Sequence, residues 1–484
     1  MDNEMLLGVR KPARYIGSEW NVSKKAFETS AMRFALCFPD LYEVGMSNLG
    51  IRILYSLLNA IPDVCCERAF CPDLDMAQAL RDRAMFLSSL ESGRPLRDFD
   101  ILGFSLGYEL SYTNVLFVLD LAGMPLDSAS RDETFPLVIG GGPAVMNPEP
   151  MHEFFDLFVI GEAEEAIAEL MDAYRGLKED YRGGRISKQD LLADLCRVEG
   201  VYVPSFYDVT YNDDGTLAAF APKRPGVPEK VKKRVLKDFG NSPFPREWLV
   251  PYIQIIHDRL TIEVSRGCPN RCRFCQARSC YFPLRHRPAE KVLEAADRYY
   301  SQTGYDELSL SGLSVSDYPD LPSLMEKLVA NFKAAGVSVS LPSIKPKTFL
   351  GSLSCLIATV KKTGLTFAPE AATARLRSVI GKDFDEEEFF HMLDEVYRAG
   401  YQHVKLYFMT GLPQETEADV EAIAHFSRRV SAARKACAGS AAAVNISINT
   451  VIPKPHTPFQ WLQMHSLSQM EDTQRFLLSQ LNSR

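Results

Sequence analysis

The sequence has no surplus of positive charge. Its 54 lysines and arginines stand against 62 aspartates and glutamates, and a net charge of −8 supplies no overall field to draw the chain onto nucleic acid or an anionic membrane. The start, Met1-Asp2-Asn3-Glu4, lacks the basic and apolar stretches of a secretory leader, and no uninterrupted apolar run reaches membrane-spanning length. A soluble, cytoplasmic protein with no membrane partner is expected. A disulfide framework is missing too: 11 cysteines, an odd number scattered through a long chain, leave metal binding or plain buried thiols. Tandem repeats and low-complexity tracts are absent. What is present is a chain of 484 residues, 46% hydrophobic, too long for one core and expected to divide into about two or three compact domains.

Residues 1–29 form an N-terminal extension. From 30 to 175 short apolar strands alternate with amphipathic helices: strands at Phe34–Phe38, Ile101–Ser105, Leu137–Ile139 and Leu157–Ile160, and a helix over Leu49–Leu58. That alternation predicts an α/β, doubly wound, Rossmann-like domain. Gly140-Gly141-Gly142-Pro143 and Gly161-Glu162 lie just past strand ends, where such sheets bind ligands, and read equally as tight turns. Over 176–257 the pattern weakens among prolines, giving a linker with a small strand-rich piece around Val201–Tyr211. Its basic run, Lys230, Lys232, Lys233, Arg234 and Lys237, reads as solvated surface before it reads as a phosphate contact.

From 258 to 458 the alternation returns. Strands are expected at Thr261–Ser265, Glu307–Ser311, Val337–Leu341, Leu365–Ala368, His403–Met409 and Val444–Val451, with helices between them including Ala289–Tyr300, Leu321–Ala335, Phe389–Ala399 and Val420–Ala433. Six such units predict a partial (β/α)6 barrel with its chemistry at the strands' carboxyl ends. Residues 459–484 form a helical extension, amphipathic over Ser468–Leu481.

The loaded segment follows the first of these strands: Cys268-Pro269-Asn270-Arg271-Cys272-Arg273-Phe274-Cys275. Three thiolates within one short loop can wrap a corner of a cubane cluster, and without a fourth cysteine one iron is left open. An open metal position can take the amino and carboxylate groups of a methionine. Structural zinc is the alternative, with Cys280 or His286 as fourth ligand, although neither falls at a common zinc spacing. Cys280, Cys355 and Cys437 are not spaced as a second cluster.

This C-x3-C-x-aromatic-C motif at the end of a first barrel strand resembles the signature of the radical S-adenosylmethionine (radical SAM) superfamily. The resemblance implies a 4Fe-4S cluster on Cys268, Cys272 and Cys275, Phe274 near the adenine, and reductive cleavage of S-adenosylmethionine to a 5'-deoxyadenosyl radical. Further motifs agree in barrel order. Ser311-Gly312-Leu313-Ser314 stands where the family has Gly-Gly-Glu to hold the methionine amino group, which implicates Gly312 and Ser314, though the glutamate is missing. Glu370, with Arg375, Arg377 and Lys382 behind it, stands where relatives meet the ribose and carboxylate, or else caps an ordinary helix. The turn Thr410-Gly411-Leu412-Pro413-Gln414-Glu415-Thr416 resembles the Gly-Leu-Pro turn whose backbone, at Gly411, approaches the adenine. Pro453-Lys454-Pro455-His456-Thr457-Pro458 resembles a segment of the methylthiotransferase-like and cobalamin-type branches.

A doubly wound domain ahead of such a barrel resembles an uncharacterised bacterial group of radical SAM proteins with an N-terminal cobalamin-binding-like domain. The likeness is carried by Tyr15–Asn21, Phe38–Gly50 and Ile256–Leu260. Longer members of that group continue past Arg484. Domains that ligate cobalt use Asp-x-His-x-x-Gly; here Asp40 to Gly45 puts Tyr42 at the histidine's place, and a phenol cannot replace that nitrogen. Cobalamin bound without a protein ligand, flanked by Tyr42, Ser105, Gly140 and Gly141, and a domain that kept its shape without the ligand both stay open. The resemblance further implies an external electron donor of flavodoxin or ferredoxin type, and radical methylation, methylthiolation or a related C–H functionalisation of an unknown substrate, RNA and protein among them. Arg278, Arg285, His286 and Arg287 could face a phosphate or be plain surface. The rival reading is a non-catalytic metal-binding or iron-sulfur scaffold that binds RNA or protein.

Overall fold

The computed structural model describes residues 3–340, 365–382 and 384–482, and the chain divides into two compact units, Met1–Asp258 and Arg259–Arg484. In the first unit the strands β1 (Met32–Phe38), β2 (Val64–Phe70), β3 (Ile101–Ser105), β4 (Leu137–Gly141), β5 (Leu157–Val159) and β6 (Val201–Tyr202) form one sheet in the order β2-β1-β3-β4-β5-β6. The first five are parallel and β6 runs antiparallel to β5. The strands are nearly continuous apolar runs because helices cover both faces. Local chemistry sets the helix starts: Asn48 caps Leu49–Ala60 by accepting from the Ile51 N–H, and Ser187 with Asp190 makes a capping box on Lys188–Leu195.

Two features depart from the sequence reading. Strand β2 has no counterpart in it, because Glu67 and Arg68 interrupt the apolar run; both are nonetheless buried, each with partners inside the fold. The helix that starts at Ala163 runs to Arg182 and β6 closes the same sheet, so the doubly wound domain continues past 175. Beyond it β7 (Tyr207–Tyr211) and β8 (Leu217–Pro222) form a separate hairpin.

The second unit holds two parallel arcs. Strands β9 (Leu260–Glu263), β12 (Glu307–Ser311) and β13 (Ser338–Ser340) lie in the order β13-β12-β9. Strands β14 (Leu365–Glu370), β15 (His403–Thr410) and β16 (Ala443–Thr450) lie in the order β14-β15-β16. Read together they are the first three and last three strands of a partial barrel. Between β9 and β12 a short antiparallel pair, β10 (Ser265–Arg266) with β11 (Arg285–His286), clamps the base of the cysteine loop. Leu341, the expected end of the third strand, and Cys355 fall outside the described residues. The helices lie where the period predicts, with ends shifted by a few residues: Ala289–Thr303, Leu321–Phe332 followed by a 3-10 turn at Lys333–Ala335, Glu386–Arg398, and Glu417–Ala438, which is set by a Thr416–Asp419 capping box. The C-terminal stretch is a helix, Leu467–Asn482.

On the second arc, Phe367, Val404, Leu406 and Phe408 pack outward against Phe389, Leu393, Ile423 and Phe426 of the helices. The alternate residues therefore face inward. They form rows in register: Thr366 with Lys405 and Asn445, then Tyr407 with Ser447, then Met409 with Asn449.

Candidate iron-sulfur and cofactor site

The cysteine loop leaves the sheet at Arg266, which is locked by a two-pronged ion pair to Glu263 at 3.0 and 2.9 Å. Gly267 follows at φ +95°, and a Cβ there would lie 2.7 Å from the Pro283 carbonyl where the two ends of the loop cross. Only glycine fits both demands. The loop then docks on the second arc. The Arg273 backbone N–H donates to the Ile380 carbonyl at 2.9 Å, its guanidinium donates to the Val379 carbonyl at 2.6 Å, and Ser279 donates to the His456 carbonyl at 2.7 Å. Phe274, half-buried, packs with Ala371, Leu412 and Val451, residues that stand at the ends of β14, β15 and β16. The loop is thus stretched across the carboxyl rim of the barrel.

Cys268, Cys272 and Cys275 are all free and half-buried. They share one neighbourhood: the Cys272 thiol is raised by burial, drawn back by Lys382, and pushed up again by the charges of Cys275 and Cys268. Asn270 donates its amide to the Cys268 sulfur at 3.2 Å. Among the described residues no three Cys, His, Asp or Glu side chains converge on a single ion. A cubane asks for less convergence, since each thiolate binds a different iron. Cys280, one proposed fourth zinc ligand, is buried at 7% exposure, and His286 sits back on β11.

Glu370 ends β14 at φ +66° and pairs with Lys382 at 3.6 Å; burial raises its carboxyl against the pull of that lysine. Gln414 and His456, beyond β15 and β16, also hold positive φ, of 62° and 60°. Left-handed non-glycine residues cost about 1–3 kcal/mol each, and three of them gather at this one rim. Gly411 has φ +74°, and its N–H donates to Glu415 at 2.9 Å. Gly312 presses on Ser265: a Cβ there would be 2.5 Å from the Ser265 hydroxyl. Ser314 donates to Asp317 at 2.6 Å, and Pro453 is half-buried in the exit of β16.

Other expected residues serve the frame. Arg375 pairs with Asp419 and donates to the Gln414 carbonyl, so it steadies the Gly-Leu-Pro turn. Burial alone would raise Asp419, but bonds from Thr373, Thr416 and Arg375 hold it below the usual carboxylate range. Arg377 is buried against the carbonyls of Ala371 and Ala372 and against Glu386. Asp317 and Asp419 were not singled out in the sequence; the second could have been, from its place three residues after Thr416.

In the first unit Tyr42 does not face a ligand. It is 2% exposed and its hydroxyl donates to Glu19 at 2.9 Å. Gly140 is backed by Phe158 and Phe155, whereas Gly141, in register with Ser105, has open space where a side chain would be. Gly161 and Glu162 make a packing turn against Arg234, and Arg234 itself pairs with Glu165 and Glu169. Of that basic run Arg234 alone is buried, while Lys230, Lys232 and Lys237 are exposed, as a solvated surface requires.

The described helices include none long and apolar enough to cross a membrane. Residues 50–204 match the family model for the N-terminal region of radical SAM proteins, and residues 262–427 match the radical SAM superfamily model. An uncharacterized protein of Methanocaldococcus jannaschii is 27% identical over 427 residues, covering 88% of this chain and 78% of that protein. The ribosomal protein uS12 methylthiotransferase of Desulfotalea psychrophila is 23% identical, covering 56% of this chain and 62% of that enzyme. Among solved structures, the radical SAM methyltransferase TsrM of Kitasatospora setae, with cobalamin and a 4Fe-4S cluster bound, overlays with a TM-score of 0.58 at 14% identity, covering 88% of this chain and 76% of that one. That overlay speaks to the fold. The family works with a 4Fe-4S cluster and S-adenosylmethionine, and the thiol loop has the donors that such a cluster needs. The chain is a member of the radical SAM superfamily.

Proposed function

We propose that Cys268, Cys272 and Cys275 hold the cluster and that the chain transfers a methyl or methylthio group, or performs a related C–H functionalisation. The observation that carries the site assignment is the cysteine loop itself, which spans the barrel rim and places Phe274 among the ends of β14, β15 and β16. Held by these three thiolates, a reduced cluster would supply the electron that breaks a sulfonium carbon–sulfur bond of S-adenosylmethionine. The residues around it do the rest. Phe274, Leu412 and Val451 keep water from the rim; the bent backbone at Gly411 lets a flat ring approach; Glu370 and Lys382 offer a paired acid and base. An external electron donor of flavodoxin or ferredoxin type would load the cluster.

The transfer reading is supported by the methylthiotransferase relative and by the methyltransferase overlay in fold. The inward rows of the second arc add a constraint on substrate. Thr366, Ser447, Asn445 and Asn449 are hydrogen-bonding groups, and Lys405 lies over the Tyr407 ring at 4.8 Å. Such a lining suits a polar group, an RNA nucleotide or a protein segment, better than a hydrocarbon. For cobalamin, the fit lies in Ser105 and Gly141 at the ends of the central strands β3 and β4, without a ligand to cobalt.

The test is anaerobic reconstitution followed by dithionite reduction with S-adenosylmethionine. Release of 5'-deoxyadenosine by the wild type, and none by Cys272→Ala, is expected; a colourless zinc protein would reduce the reading to a scaffold. Protein purified anaerobically from cobalamin-fed cells should carry the visible spectrum of the corrinoid, and a colourless front domain would end that part of the proposal.

A further inference from the structure

Where the chain lacks the family's glutamate, the structure holds two buried polar atoms with no partner. Ser265 is 2% exposed, and its hydroxyl makes no hydrogen bond; nor does His286 Nδ1. The two residues are direct partners in the β10–β11 ladder, so their side chains leave the same face with Cβ atoms about 5 Å apart. Gly312, at the end of β12, packs against the pair: a side-chain carbon there would be 2.5 Å from the Ser265 hydroxyl and 3.2 Å from its carbonyl. Tyr318 stands edge-on to the imidazole at 5.7 Å and is itself tied to the Arg287 carbonyl at 2.7 Å, which fixes the ring. Asp317, held by Ser314, lends a negative field. Burial keeps His286 below the usual histidine range, so it is neutral at pH 7 and its free nitrogen can accept.

Buried polar atoms without partners are rare in folded proteins, since each costs about 1–3 kcal/mol. Two on facing residues, with Gly312 packed directly against the Ser265 hydroxyl, offer a pair of acceptors to a small N–H donor. We infer that Ser265 and His286 seat the amino group of S-adenosylmethionine, as the acceptors that stand in for the absent glutamate. The inference rests on the cluster reading above, because the amino group belongs to the same cofactor. It assigns a specificity role to Ser265, outside every motif quoted for the site, and to His286, read from the sequence only as a zinc ligand or a phosphate contact; Gly312 is small because a side chain there would strike the Ser265 hydroxyl.

The experiment compares equilibrium binding of S-adenosylmethionine and of its desamino analogue to cluster-loaded protein, for wild type, Ser265→Ala and His286→Phe. Iron content and the reduced-cluster EPR signal serve as the folding control. Wild type should prefer S-adenosylmethionine, and each variant should lose about ten-fold or more of that preference while binding the analogue as wild type does. Variants that keep the wild-type ratio, or that weaken both ligands equally, overturn the inference. Failure of wild type to load iron or bind either ligand would instead overturn the cluster reading, so the two failures are distinct. Ser265→Ala removes a single oxygen, so it guards against the larger histidine replacement merely disturbing the loop.

Discussion

Arg68 in the first unit and Ser265 in the second are equally removed from solvent, at 0% and 2% exposure, yet they are finished differently. Arg68 is answered on every side: it pairs with Glu19 at 2.8 Å and Glu91 at 2.7 Å, touches the Met46 sulfur and lies over the Tyr55 ring, while Glu19 also takes the Tyr42 hydroxyl. Ser265 keeps its hydroxyl unmatched, three residues before the first of three half-buried thiols and on the unit that carries a rim of left-handed backbone. Polar burial that closes on itself holds a domain together. Polar burial left open, next to strain, marks where a ligand completes the structure.

The largest expected break in this comparison is Cys272→Ala, which should abolish cluster binding, read as loss of iron and of the reduced EPR signal, with the far-ultraviolet spectrum unchanged. A retained cluster would show that the thiol is not a ligand. Next comes Arg68→Met, which strands Glu19 and Glu91 as buried charges and should cost about 3–5 kcal/mol in denaturant unfolding of the first unit. A loss below about 1 kcal/mol would mean the network is less closed than its geometry.

Paired glycine substitutions sharpen the contrast. At Gly45 a Cβ would sit 2.3 Å from the Phe70 ring, and at Gly312 it would sit 2.5 Å from Ser265. Gly45→Ala should lower stability by about 1–3 kcal/mol and leave binding of S-adenosylmethionine intact, whereas Gly312→Ala should weaken that binding in addition to its overpacking cost. The opposite pattern would reverse the roles assigned to the two regions.

The smallest effect is a pH slope. Hydrogen bonds from Arg14 hold Asp73 low, and burial of Glu43 is outweighed by Arg14 and Lys11, so both carboxyls titrate below their unfolded values. Their contribution is full above roughly pH 4.5 and is lost as pH falls through the folded values. Melting of the wild type should therefore drop on acidification more steeply than that of Arg14→Gln; equal slopes would remove Arg14 from the account.

Much of this was readable from residues alone. The period-2 and period-3.6 patterns placed β1, β3, β4 and β5 and the helix that starts at Leu49 in the first unit, and most strands and long helices of the second, and the cysteine spacing named the loop. Strand β2 was hidden because Glu67 and Arg68 look like surface until Ser92, Glu19 and Glu91 come in from distant parts of the chain. The motif around Tyr15–Asn21, which carries part of the family likeness, is structural: Gly17 lets the chain pass the Leu90 carbonyl, Glu19 answers Arg68 and Asn21 donates to the Trp248 carbonyl. Ser265 carried no signal and His286 only that of a zinc ligand or a phosphate contact, for their pairing is created only when the loop between them folds back.

The most direct test is pulsed ENDOR on the reduced, reconstituted protein with S-adenosylmethionine labelled with 15N at its amino group. A nitrogen coupling to the cluster is predicted, because three cysteines leave one iron for the cofactor to chelate. A reduced cluster with no such coupling, its fourth iron closed by a protein side chain, would contradict the account at its root.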